Sequence, residues 1–264
     1  MPLSSALIVE PREHPSSFSA IENVRKNIGN DIPIIWFHGT SNKEFAENIA
    51  SKIENIRLRE IPVDNLPSAG HYSAFMLNPG LWKEMRHYAK RNPNSKTLVF
   101  QTDSGFCNID TDRVVEHLEK IEDVDYIGAP AGIGVHQNGG FSYRDVDGML
   151  KISTQSENIE IDSDLWDSGF WLQNWQVPDR RPPAEDKLVT ATCRNMDNCT
   201  VADEIRASEF SCCAGGRTAV KSWPEPLAFH GNIKHFVGNS QTKPFQTVED
   251  FFQTCPGAKD ILGP

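Results

Sequence analysis

Lys96-Thr97-Leu98-Val99-Phe100-Gln101-Thr102-Asp103 is the stretch that decides the fold. Its apolar run reads as a buried strand ending in a polar residue and a carboxylate two positions apart. Side chains alternate across a strand, so Gln101 and Asp103 are expected on the same side. In open α/β sheets, ligands collect beyond the carboxyl ends of the strands. A carboxylate there is placed to hold a divalent cation, and a cation there to hold a diphosphate. The competing reading is an Asp that merely caps the next loop.

Upstream, strands and helices alternate. Leu7-Ile8-Val9 reads as a short buried strand. A helix follows from Ser16, with Phe18, Ile21, Val24 and Ile28 at helical spacing and Gly29 as its stop. Ile34 to Phe37 makes a second strand, ending at His38-Gly39. Ser41 and Glu44 are spaced as a capping box for a helix carrying Phe45, Ile49 and Ile53. Ile56–Ile61 is a third strand, and Tyr72–Lys90 is helical with a break at Pro79-Gly80. Beyond the deciding stretch come a helix over Thr111–Leu118 and a strand over Asp125–Gly128. This alternation predicts βαβ units and a mostly parallel sheet.

After Gly128 glycine and proline become dense and the alternation weakens. Helices are expected over Glu185–Thr192, Val201–Ala207 and Val248–Thr254, with one late strand at Leu227-Ala228-Phe229. The expectation is a single α/β domain over residues 1–264. A nucleotide-binding half (1–130) precedes an irregular half suited to an acceptor (131–264).

With 264 residues the chain is long enough for one large core. A formal charge of −10 argues against general nucleic-acid binding. No segment reaches the roughly 20 apolar residues needed to cross a bilayer, and Met1–Val9 runs straight into Glu10-Pro11-Arg12 without the form of a signal peptide. A cytoplasmic protein is therefore expected. Its six cysteines, lacking a dense framework, are expected as free thiols, and the sequon Asn198-Cys199-Thr200 is read as accidental.

Four patterns carry chemistry. Glu10-Pro11-Arg12 follows the first strand, where a base and ribose sit in nucleotide-binding sheets; its bland reading is a surface turn. Gln101-Thr102-Asp103-Ser104 is the cation candidate. In Asn138-Gly139-Gly140-Phe141-Ser142-Tyr143-Arg144 the paired glycines allow close backbone approach, Phe141 and Tyr143 alternate as in a short strand, and Arg144 is a candidate phosphate ligand. The plain alternative is a turn. Leu227-Ala228-Phe229-His230-Gly231 puts an imidazole directly after a strand, available to a metal or simply structural.

The order Val9–Arg12, Phe37–Gly39, Val63–Leu66, Phe100–Ser104, Tyr126–Pro130, Asn138–Arg144, Glu185–Asp186 and Phe229–Gly231 resembles a family of glycosyltransferases with a GT-A-like fold. The QTD triplet stands where nucleotide-sugar-dependent enzymes carry DxD, with Gln101 in place of the first Asp. The resemblance implies a nucleotide-sugar donor, favouring UDP, and Mn²⁺ or Mg²⁺ held by Asp103 and His230. Glu10, Arg12, His38, Asp64, Gln101, Asp103 and Arg144 would lie on the donor side. Asn138, Gly139, Gly140 and Phe141 would border sugar and acceptor. Glu185-Asp186 matches a pair that opens a helix under the reacting centre, with Asp186 the first choice for general base and Glu185 the second. Lys187-Leu188-Val189 departs from the family's aromatic-rich continuation. Trp166 and Trp171, with Phe170 and Trp175, are either a sugar-stacking wall or one buried helical face, the core reading being favoured; Asp162, Asp164 and Asp167 are rival bases.

The implied reaction moves a monosaccharide (xylose, glucose or galactose) to a hydroxyl of an oligosaccharide or glycoprotein glycan, as in polysaccharide or capsid and surface glycan synthesis, inverting through a carboxylate base. The other reading from the same fold is a non-catalytic nucleotide-sugar or glycan-binding domain. A zinc module built from Cys193, Cys199, Cys212, Cys213, His230 and His235 competes for the second half, but lacks paired C-x₂-C spacing. No G-x-G-x-x-G follows the first strand to suggest a Rossmann oxidoreductase.

Overall fold

The computed structural model describes residues 3–89, 95–108, 110–131, 136–155, 184–213, 226–238 and 245–263. The side chains of Cys213 and His235 are outside it, as are Asp162, Asp164, Trp166, Asp167, Phe170, Trp171 and Trp175.

Its centre is a six-stranded sheet in the order β3-β2-β1-β4-β7-β6. These are Leu3–Val9 (β1), Ile34–His38 (β2), Ile56–Glu60 (β3), Lys96–Phe100 (β4), Tyr126–Pro130 (β6) and Gln137–Asp145 (β7). From β3 to β4 all neighbours are parallel, while β7 runs antiparallel to both β4 and β6. The sheet is thus mixed α/β and mostly parallel in its first half, as the alternation predicts. A smaller sheet joins Ser104–Phe106 (β5) to Ala228–His230 (β9) and Ser211–Cys213 (β8) in the order β5-β9-β8.

Why these strands are interior follows from their sequence. Ile34, Ile35, Trp36 and Phe37 are all fully buried because both faces of the sheet are covered. Trp36 and Leu98 point into a cluster with Ile21 and Val24 of helix α1 (Ser17–Ile28). Phe37 and Val99, one position on, point into a second cluster. There they meet Phe75 of the helix Ala69–Met76 and Trp82 of the helix Pro79–Tyr88. The expected helix over Tyr72–Lys90 is therefore two helices. Pro79 opens the second, and Asn78 caps it by accepting from Gly80 N at 2.8 Å.

Three local expectations are corrected. Ser41 does not cap: the next helix (Lys43–Ala50) has Asn42 at its N-cap, and Ser41 N donates instead to Asp64 Oδ1 at 2.7 Å. The helix expected from Val201 begins at Glu204, because Val201 bridges to Tyr126 and Asp203 accepts from Arg206 N. The cysteines are not all free. Cys107 pairs with Cys255, and Cys193 with Cys199, while Cys212 is buried and in neither disulfide. Two ligands of the zinc reading are thereby consumed. The free thiols expected of a reducing compartment are thus not found at these four positions. Among the described residues no helix is long and apolar enough to cross a membrane.

Cys107–Cys255 spans 148 positions and Cys193–Cys199 only 6. Chain-entropy arithmetic then assigns about 5 kcal/mol to the long loop and about 2 kcal/mol to the short one. Urea denaturation of the Cys107→Ser/Cys255→Ser and Cys193→Ser/Cys199→Ser double variants is expected to show the larger loss in the first. Equal losses would contradict the pairing.

Candidate functional site

β1 and β4 are neighbours, but the chain leaves β1 toward β2 on one side and returns to β4 on the other. Ligands bind at such a switch point, beyond the strand ends. A cavity of ≈ 540 Å³ lies there. Glu10, Pro11 and Arg12 enter it from the end of β1, and Gln101, Thr102 and Asp103 from the end of β4. Leu66, Ser68 and Tyr72 form another wall, and Asn232, Ile261 and Leu262 come from the C-terminal part of the chain.

Glu10 and Arg12 form one unit. Arg12 Nε and Nη2 donate to the two Glu10 carboxylate oxygens at 2.7 and 2.8 Å, and Arg12 N donates to Oε1 at 3.0 Å. The Glu10 hydrogen bond and charge raise the Arg12 guanidinium above its ordinary range, against the pull of burial. Glu10 is buried while Arg12 is 54% exposed, so the carboxylate anchors a cation whose outer face remains available.

Gln101 and Asp103 do meet on one side, though not by strand alternation. β4 ends at Phe100, and Gln101–Ser104 is a turn. Ser104 Oγ accepts from Gln101 N at 2.8 Å, and Ser104 N donates to Gln101 O at 3.1 Å. The small sheet then delivers the histidine. Ser104 of β5 is paired with His230 of β9, and Gly231 N donates to Asp103 O at 2.9 Å. His230 Nε2 consequently lies 3.0 Å from Gln101 Oε1 and 3.5 Å from Asp103 Oδ1. Burial lowers the His230 imidazole below its ordinary range, against the carboxylates of Asp103 and Asp186. A neutral ring is the form a metal takes as ligand.

Asp103, His230 and the Gln101 amide fit a divalent cation that takes its other ligands from a diphosphate. Among the described residues no group of three or more His, Cys, Asp or Glu able to hold a metal occurs.

Other expected donor-side residues are placed elsewhere. His38 is buried, its Nδ1 2.8 Å from Gly39 O. Asp64 accepts from Thr40 Oγ1 and Ser41 N, which lower its carboxyl below the usual range, and it ties down the loop after β2. Neither lines the cavity. Arg144 is fully buried rather than turned to a phosphate. It donates to Ser142 Oγ at 2.8 Å and Gly139 O at 3.0 Å, and pairs with Glu185 Oε1 at 2.5 Å. Burial opposes the Arg144 charge, but Glu185, Tyr126 and Tyr72 raise it overall. Phe141 belongs to the core, edge-on to Phe106 at 5.1 Å.

The glycine pair proves to be needed by the protein's own side chains. A Cβ on Gly139 would lie 2.7 Å from Arg144 Nη2 and 2.7 Å from Glu185 Oε1, and one on Gly140 would lie 2.1 Å from His230 Nε2. Asn138 Oδ1 holds this segment by accepting from Gly140 N at 2.8 Å. Glu185 and Asp186 begin the helix Glu185–Arg194 and face differently. Glu185 is 4% exposed; burial raises its carboxyl and Arg144 opposes that. Asp186 is partly exposed and accepts from its own helix at Lys187 N. Sequence reasoning missed Tyr72, Ser104 and the C-terminal wall. Ser104 alone had a signal, as the residue closing the QTDS block.

Glu185→Ala would strand the Arg144 guanidinium, a loss of about 3–5 kcal/mol in urea unfolding. Glu185→Leu combined with Arg144→Met is expected to recover much of it. A single variant as stable as the parent would remove the pair from the architecture.

The fold is similar to that of mouse xyloside xylosyltransferase 1 in its apo form, at 9% identity and a TM-score of 0.50, over 88% of this chain and 98% of that one. At that identity the likeness is one of fold, and it bears out the expected GT-A-like architecture. A more distant likeness is to 4-diphosphocytidyl-2C-methyl-D-erythritol synthase from Anaerococcus prevotii (10% identity, TM-score 0.39, 73% and 97% covered). No curated protein matches the sequence. Residues 55–230, more than half of the chain, match the model of a family described as a protein of unknown function, DUF5672, and the chain belongs to that family.

Proposed function

We propose that the chain is a glycosyltransferase that moves a monosaccharide from a UDP-linked donor to a glycan hydroxyl, with Mn²⁺ or Mg²⁺ held by Asp103 and His230. In this reading residues 1–130 serve the donor and 131–264 the acceptor. The observation that carries it is the meeting of His230, itself outside the cavity lining, with Asp103 and Gln101, which line the switch-point cavity. Its volume of ≈ 540 Å³ is of the order that small-molecule ligands occupy.

Breaking the anomeric bond leaves negative charge on the departing diphosphate. The cation, when bound, supplies a Lewis acid for that charge. Arg12, fixed by Glu10, adds a positive donor at the cavity wall. The acceptor hydroxyl must lose a proton as it attacks. Asp186 takes that role, because among the described residues its carboxylate is in no ion pair and it acts electrostatically on His230. Glu185 does not, since it is committed to Arg144. Xylose, glucose and galactose are the sugars proposed.

Two variants test this. Calorimetry with UDP and Mn²⁺ is expected to show binding by the parent and none by Asp103→Ala. Asp186→Asn is expected to keep UDP affinity while transfer of sugar to water or acceptor falls by roughly 10²- to 10⁴-fold. Retained binding in Asp103→Ala would sink the cation assignment. A parent that binds UDP-sugars yet never turns them over would favour the non-catalytic alternative.

A further inference from the structure

Tyr72 is the residue of the cavity wall that neither the motifs nor the proposed reaction has used. Its hydroxyl is shielded from solvent and has no hydrogen-bond partner of good geometry, although it faces the Gln101 amide. Unpaired buried polar atoms are uncommon and each calls for a reason. Among the described residues several other side chains carry one, but of these residues Tyr72 alone lines the cavity. Behind it stand two more such atoms, Arg144 Nη1 and Glu185 Oε1, the latter engaged only in its ion pair. The three side chains interact electrostatically, and Glu185 N donates to Ser73 Oγ at 3.1 Å, which ties the helix of Tyr72 to that of Glu185.

We propose that Tyr72, backed by Arg144 and Glu185, reads the hydroxyl groups of the transferred sugar. The argument is one of donor and acceptor matching. The tyrosine hydroxyl offers both a donor and an acceptor. Sugar hydroxyls both give and take hydrogen bonds and can use both. A phosphate oxygen only accepts and would leave the acceptor side of the hydroxyl unused. Tyr72 lines the same cavity close to Gln101 and within electrostatic reach of Asp103, so a diphosphate held at Asp103 leaves its sugar within reach. Burial keeps the hydroxyl protonated and able to donate. Tyr72 makes the contact; Arg144 and Glu185 are positioning residues behind it. This inference rests on the transferase reading.

Tyr72→Phe removes one oxygen and leaves the ring. If the hydroxyl is kept for a ligand, its loss is expected to leave the melting temperature of the free protein unchanged or higher, since only its poorly aligned contact with the Gln101 amide is given up. Calorimetry in Mn²⁺ with UDP and with UDP-xylose, UDP-glucose and UDP-galactose supplies the second readout. The best-bound UDP-sugar is expected to weaken about three- to tenfold in Tyr72→Phe, the worth of one neutral hydrogen bond, while UDP affinity stays constant. Equal weakening of UDP and UDP-sugar, unchanged sugar affinity, or a melting temperature lowered by several degrees would each overturn the assignment. If the parent binds none of the donors, the transferase reading itself falls and takes this inference with it. Parent binding that Tyr72→Phe leaves intact overturns the role of Tyr72 alone.

Discussion

The ion pair between Arg144 and Glu185 is the constraint around which the site is built. Both groups are removed from water, and a single buried charge left unpaired costs several kcal/mol. Arg144 sits on β7 and Glu185 on the first turn of the helix Glu185–Arg194, so the pair fixes that helix against the central sheet. Guanidinium contacts with the Tyr126 and Trp82 rings, at 5.3 and 5.9 Å, fill its remaining faces. Three consequences follow. Gly139 cannot carry a side chain, because the pair occupies that space. Asp186, one residue past an anchored neighbour, is presented on the less buried side. Tyr72 is held over a charged floor instead of an apolar one.

The strands of the parallel half were legible because they are buried on both faces and rich in β-branched and aromatic residues, as in Ile34–Phe37 and Thr97–Phe100. β7 was legible only around Phe141 and Tyr143. Its full span, Gln137–Asp145, includes two glycines that sequence pattern assigns to a turn, and a register shift opposite Gly128 and Ala129 lets the strand continue. The small sheet escaped notice except for one strand, since three-residue segments such as Ser104–Phe106 are too short to show a period. Disulfide partners 148 residues apart leave no mark in spacing.

For the site, what could be read was chemistry at strand ends. Asp103 follows β4 and His230 ends β9; both were candidates from that position, and the family resemblance gave His230 its metal role. Their 3.5 Å separation needed the antiparallel register of β5 on β9, which no local pattern encodes. Arg144 and Glu185 show the opposite case. A charged residue in a glycine-rich block and another in a Glu-Asp pair look like ligand contacts in one dimension. In three they satisfy each other.

The charge balance of the cavity bears on what it can hold. Among its described lining residues the acids Glu10 and Asp103 outnumber the one strong base, Arg12, and Arg12 is already paired with Glu10. The whole chain carries a formal charge of −10. A nucleoside diphosphate entering alone would bring its anionic oxygens toward Asp103 with little to offset them. With a divalent cation between, the same carboxylate becomes attractive, and the neutral His230 contributes a ligand without adding repulsion. In the proposed transferase a requirement for the cation would follow from the sign of the site. One carboxylate would recruit the metal together with its substrate and hold it only weakly without it. That weakness is consistent with Gln101 standing where a second acid would have made the centre more negative and its cation more firmly resident.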